Sequence, residues 1–192
     1  MQSISFNPAM LAAVRAGRKT VTRRRLPPNS ALQQEPDRYR FVGLSAQGAL
    51  FEDQQGTPPT RLPPLPLPFG AAGHLLSVQE APSLVLQIVS VRAEPVRSLT
   101  EADAVAEGIR ARPESGPPQW GGVEPRATQL NAFYWYGSPI AAFRSLLDSI
   151  YPTAWVRNEL VWVIDMLQRY ISYFGSLDHL QKPSGSWKRT GI

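Results

Sequence analysis

The chain has 192 residues, 43% hydrophobic and 18% charged, with a net charge of +5. It has no cysteine and only two histidines, which excludes disulfides and thiolate metal sites and argues against a histidine metal centre. No apolar run reaches membrane-span length and no signal-peptide pattern opens the sequence, so a soluble, cytoplasmic protein is expected, with no metal or organic cofactor.

The charge is local. Arg15, Arg18, Lys19, Arg23, Arg24 and Arg25 give the first 25 residues +6 with no acid, so the remainder sums to −1. Such a stretch suits an anionic partner. Lys19 stands out because it is the only lysine before Lys182 in a chain with 17 arginines. Lysine, unlike arginine, can lose its proton near neutral pH when desolvated.

Asn7-Pro8 followed by residues 9–16 predicts a short helix, with Asn7 as cap, Pro8 at the first helical position and Gly17 as left-handed stop. The β-branched Thr20-Val21-Thr22 predicts a strand directly after it. Residues 26–70 hold nine of the 19 prolines and read as an irregular insertion. Within it, residues 39–42 and 49–51 are expected to pair as a hairpin. The run Pro63-Pro64-Leu65-Pro66-Leu67-Pro68 reads as a rigid surface loop, with an SH3-type ligand as its other reading.

Order returns at Gly73. Strands are predicted over 74–79 and 84–92, and Thr100-Glu101-Ala102-Asp103 resembles a capping box for a helix ending at Gly108. Residues 110–131 read as a Pro/Gly-rich loop, and Tyr134-Trp135-Tyr136 as a loop cluster that packs over the core or stacks a base. Ser138-Pro139 opens a third helix with Phe143, Leu146, Leu147 and Ile150 on one face. Residues 158–166 read as a closing strand. The polar tail 167–192, with Lys182, Lys188 and Arg189, is set apart from a domain spanning residues 1–166. The fold class is α+β, on a small curved sheet or barrel with short helices and long loops.

These blocks carry a resemblance. Gly17-Arg18-Lys19-Thr20-Val21-Thr22-Arg23 is similar to the N-terminal signature of the ASCH domain, a PUA-like β-barrel family. Residues 73–80 (GHLLSVQE), 99–109 (LTEADAVAEGI) and 143–166 resemble, in order, a barrel strand, a short helix, and the closing helix and strand of phage and prophage members. There are departures: His74 stands where the family usually has Asp, Ser77 and Gln79 replace Trp and Arg, and Glu159-Leu160 replaces a common Pro-Trp. The resemblance implies RNA or nucleotide binding beside the basic motif, through Arg18, Lys19, Arg23, Arg24 and Arg25. A bacterial branch hydrolyses the amide of N4-acetylcytidine with a Lys, a Thr and a Glu, and those positions are Lys19, Thr22 and Glu107 here. A ribonuclease is a third reading.

The chemistry of that trio is coherent. A threonine hydroxyl needs a base within reach, and a neutral lysine supplies one if burial and the flanking Arg18 and Arg23 lower its pKa. Spacing raises an objection: residues 19 and 22 face opposite sides of a regular strand. They converge only if Lys19 lies in the turn before the strand, and Thr20 is the alternative hydroxyl. The same residues also read structurally, as β-formers, a helix end and a phosphate clamp without chemistry.

Overall fold

The computed structural model describes residues 1–113, 116–125 and 133–169. In chain order the first elements are β1 (Gln2–Ile4), α1 (Pro8–Arg15), β2 (Val21–Arg25) and α2 (Ala31–Gln34). A hairpin follows, β3 (Tyr39–Ser45) and β4 (Gly48–Asp53), with a short β5 (Thr60–Arg61) on its edge. Next come β6 (Leu75–Val78), β7 (Ala81–Pro95) and α3 (Glu101–Ala106). The last elements are β8 (Arg110–Ala111), β9 (Trp120–Pro125), β10 (Phe133–Tyr136), α4 (Pro139–Ile150) and β11 (Leu160–Arg169).

Helix α1 starts and stops for the reasons its sequence gives. Asn7 Oδ1 accepts the Met10 N–H at 2.7 Å, and Pro8 takes the first position, where a missing N–H costs nothing. Gly17, at φ +70°, turns the chain out of the helix.

The main sheet has five strands in the order β1-β6-β7-β11-β2, with only β1 and β6 parallel. Register shifts at Ser77/Val78 and Asp165/Met166 bend it, and it curls into a half-barrel. The architecture is mixed α+β, mostly strand.

Strand β11 is buried on both faces. Leu160, Trp162, Ile164 and Met166 join one apolar cluster, and Val161 and Val163 join another, as the two-residue period of a strand requires. The first cluster is closed by α1, by the β3–β4 hairpin through Ala49 and Phe51, and by Leu62, Leu65, Leu67 and Phe69 of the proline-rich segment. Leu65 exchanges both backbone hydrogen bonds with Ala49 at 2.8 Å. Its neighbouring prolines face solvent while Leu65 and Leu67 face the core. The run is therefore a fitted cover, more ordered than an irregular insertion. The second cluster is closed by α3, α4 and Val123 of β9.

Several boundaries differ from the sequence reading. β7 is longer at both ends than 84–92, and β11 continues to Arg169. Residues 110–131 are not simply a loop, because β8 and β9 lie within them, and Tyr134-Trp135-Tyr136 is strand β10 rather than a loop. Lys182, Lys188 and Arg189 lie outside the described residues. Among the described residues no helix is long and apolar enough to cross a membrane.

Candidate functional site

The site is built from the segment that leads into α1, the turn into β2 and β2 itself, the C-terminal end of α3, and the inner face of α4. After Gly17 the chain stays pinned to α1, with the Arg18 and Lys19 N–H groups both bonded to Ala13 O at 2.9 and 3.1 Å. Lys19 forms an isolated antiparallel bridge with Glu107, and the Thr20 N–H reaches Ala106 O at 2.9 Å. Only at Val21 does the strand begin, paired with β11 through Val21–Asp165, Thr22–Ile164 and onward to Arg25–Val161. Lys19 thus stands before the strand, and this lets it share a cavity with Thr22. Thr20, the alternative hydroxyl, is exposed and does not line that cavity.

Helix α3 delivers Glu107. Thr100 Oγ1 accepts the Asp103 N–H at 3.1 Å and Asp103 Oδ2 accepts the Thr100 N–H at 3.0 Å, a reciprocal capping box. At the other end Gly108 has φ +101°, and a Cβ there would lie 2.9 Å from Ala13 Cβ and 3.2 Å from Lys19 Cβ. Only glycine lets α3 end against α1 and set Glu107 over Lys19.

Partial burial works to raise the Asp103 pKa, but the Thr100 hydrogen bonds and the Arg23 charge outweigh it and hold the carboxyl below its usual range. A depressed carboxylate contributes stability that is present above the unfolded pKa of about 3.9 and is lost as pH falls through the folded value. Melting temperature is expected to drop below about pH 4, and Asp103→Asn to flatten that drop. An unchanged acid limb in the variant would remove Asp103 from the account.

Lys19 and Glu107 are each 3% exposed. Lys19 Nζ donates to Val21 O at 2.8 Å, to Glu107 O at 3.1 Å and to Glu107 Oε2. Three acceptors match the three protons of an ammonium. Burial pulls the Lys19 pKa below that of a free lysine; Glu107 works against this, and Arg24 and Arg23 add to it. The neighbouring cations are thus Arg24 and Arg23, not Arg18 and Arg23. Among the described residues Thr22 Oγ1 has no hydrogen-bond partner, so Lys19 is not bonded to the hydroxyl it would have to deprotonate.

The basic run is largely neutralised from elsewhere in the chain. Arg23 NH2 lies 2.8 Å from Glu94 Oε1 and 3.4 Å from Asp103 Oδ1, and its NH1 lies 3.4 Å from Glu107 Oε1. Arg25 binds the fully buried Glu159 with both Nε (2.6 Å) and NH2 (2.7 Å). Arg18 is exposed and donates to Gly108 O at 3.1 Å. Of the five cations assigned to an anionic partner, only Arg18 and Arg24 have no carboxylate partner among the described residues. Arg24 donates to Ser5 O at 2.5 Å, its guanidinium carbon lies 5.5 Å from the centre of the Phe6 ring, and its buried Nε has no acceptor.

Arg25→Ala is therefore expected to act on stability. It strands Glu159 with only Thr153 Oγ1 at 3.1 Å and Arg157 at 3.6 Å. The cost is about 2–3 kcal/mol, below the roughly 3–5 kcal/mol of a fully buried broken pair because those partners remain. Thermal denaturation checks it, and a melting temperature equal to wild type would show that Glu159 is held by other means.

The cavity has a volume of about 210 Å³. Lys19, Thr22, Arg23, Arg24 and Glu107 are among its polar lining, and Phe6, Met10, Phe143 and Leu147 are among its apolar walls. Sequence reading put Phe143, Leu146, Leu147 and Ile150 on one face of a helix and gave no role to Phe6. The period-3.6 face of α4 was visible, but which part of it borders a cavity depends on the packing of a distant turn. Among the described residues no group of three His, Asp or Glu is placed to hold a metal. Comparison with protein-family models, with curated proteins and with solved structures returns no match.

Proposed function

We propose that the chain is a PUA-like domain of the ASCH type that binds a nucleoside or nucleotide, free or at an RNA end, and takes one base into the cavity at Lys19 and Glu107. The observation that carries this reading is the lining of that single cavity. It holds a buried carboxylate, an unpartnered hydroxyl, an unpaired guanidinium and aromatic walls in a space of about 210 Å³. The volume is below the range of drug-sized ligand pockets, which suits one planar group. A Glu carboxylate accepts from the exocyclic amine of cytosine, and Thr serves either as donor or acceptor. Cytosine is the base this edge favours. The curled sheet and the order of strands and helices support the PUA-like assignment.

Calorimetric titration tests the reading. Cytidine or CMP is expected to bind more tightly than uridine or UMP, because uracil has no amine to offer Glu107. With Arg18 and Arg24 the two of those five cations that have no carboxylate partner among the described residues, a single strand held by the pair is expected to bind with a slope of log K against log salt of about −1.4, where all five would give about −3.5. The absence of binding by any nucleoside or nucleotide at millimolar concentration would overturn the proposal.

A second reading has its own observation. Thr22 carries an unpartnered hydroxyl in the same cavity as Lys19 and Glu107, the three residues that hydrolysis of an N4-acylcytidine would use. Release of cytidine from N4-acetylcytidine by the purified protein tests it.

A further inference from the structure

Beyond the cavity already described lies a second chamber of about 400 Å³, lined by Pro27, Pro28, Pro66, Pro68 and Phe69 and bordered by Trp162. The two chambers adjoin. Tyr151 lines both, and successive residues of β2 border one each, Arg24 the first and Arg25 the second.

Two groups at this junction are unsatisfied. Trp162 is 1% exposed, and its indole Nε1–H, which is buried, has no acceptor. Buried indole N–H groups usually find a partner, and leaving one unmade is costly. Arg24 carries an uncompensated charge with a buried, unpartnered Nε. Arg25, by contrast, is engaged by Glu159 through Nε and NH2, and its guanidinium carbon lies 5.9 Å from the centre of the Tyr151 ring.

We propose that the second chamber receives a second nucleobase, so that the ligand is a dinucleotide unit with one base at Glu107, its bridging phosphate at Arg24 and the next base under the proline cover against Trp162. This rests on the nucleotide-binding reading above. The chemistry matches each part. An anion meets the free guanidinium, a flat ring meets Tyr151, Phe69 and the proline faces, and a base carbonyl or ring nitrogen supplies the acceptor that Trp162 Nε1–H lacks. Stacking of this kind tolerates any base, so the second position is expected to show little preference where the first prefers cytosine.

The experiment compares CMP with the dinucleotide CpC on the whole chain. CpC is expected to bind about tenfold more tightly or better, the range that one stacked base adds. The indole resonance assigned to Trp162 by its loss in Trp162→Phe is expected to shift with CpC and to stay in place with CMP. Trp162→Phe keeps an aromatic ring but removes the donor, and should reduce the CpC advantage severalfold. Because Trp162 is buried, Pro28→Glu serves as a second variant. Pro28 is an exposed residue at the rim, and an added carboxylate there should abolish the CpC advantage while CMP binding stays. Equal affinity for CpC and CMP, with the indole resonance unmoved, overturns the second subsite and leaves the first reading standing. Failure of both ligands to bind overturns the two together.

Discussion

Glu107→Ala is expected to cost roughly 3–5 kcal/mol of folding stability, because it leaves the Lys19 ammonium buried without its carboxylate. At this chain length that appears as a fall in melting temperature of about 10 °C. Glu107 also faces Arg23, but Arg23 retains Glu94 and Asp103, so the loss concentrates on Lys19. The apolar double variant Lys19→Met with Glu107→Leu removes both charges and is expected to recover most of the stability, as buried pairs replaced by apolar groups of similar volume do.

A pH dependence follows with a definite sign. Lys19 in the folded chain holds its proton less tightly than a free lysine, so between the folded value and about 10.4 the unfolded chain binds more protons and stability rises with pH. Removing Glu107 takes away the attraction that opposes burial and extends this window downward. Glu107→Ala is therefore expected to regain part of its lost stability between pH 7 and pH 9, to a greater extent than wild type does. Equal melting temperatures for Glu107→Ala and wild type would show that the pair contributes nothing to the fold.

How legible this site was in the sequence depends on distance along the chain. The helix from Asn7 to Gly17, the capping box at Thr100 and the strand after Thr20 are local, and each followed from residues within a few positions. The convergence of Lys19 and Thr22 was conditional on Gly17 ending the helix before the strand. The charge cancellation was not legible, because the acids that meet Arg23 and Arg25 lie 71 to 134 residues away. A count of local charge reads +6, whereas among the described residues only Arg15, Arg18 and Arg24 of those six cations lack a carboxylate partner.

Strand β9 was missed for a different reason. Gly121 and Gly122 look like loop residues. Yet a Cβ on Gly121 would lie 2.2 Å from Tyr134 O, so glycine is what lets β10 approach β9. Composition alone cannot separate a glycine that loosens a chain from one that admits a neighbour.

Lys19→Arg is expected to abolish most of any amidase activity, by about 10²–10⁴-fold, while leaving the binding of cytidine within severalfold. The three acceptors around Lys19 Nζ suit an ammonium, and from that form the hydrolase reading requires a proton to move first. Lys19 passes one to Glu107 across their hydrogen bond, and the resulting amine takes the Thr22 proton. Thr22 Oγ then attacks the acyl carbon of the N4-amide. The C–N bond breaks as Glu107 returns its proton to the departing amine of cytidine. Water hydrolyses the acyl-threonine, releasing the carboxylic acid, and no oxidant, metal or further proton enters the balance. Arginine keeps the charge and the attraction to Glu107 but cannot give up a proton near neutral pH, so it separates the base from the cation. Release of cytidine from N4-acetylcytidine by purified protein is the measurement. Thr22→Ser is expected to retain some rate and Thr22→Ala almost none. Equal rates for Lys19→Arg and wild type would assign Lys19 to positioning alone. A wild-type protein that binds cytidine and turns over no acylcytidine would leave the buried Lys19–Glu107 pair as an element of recognition, locked by the same three hydrogen bonds that stabilise it.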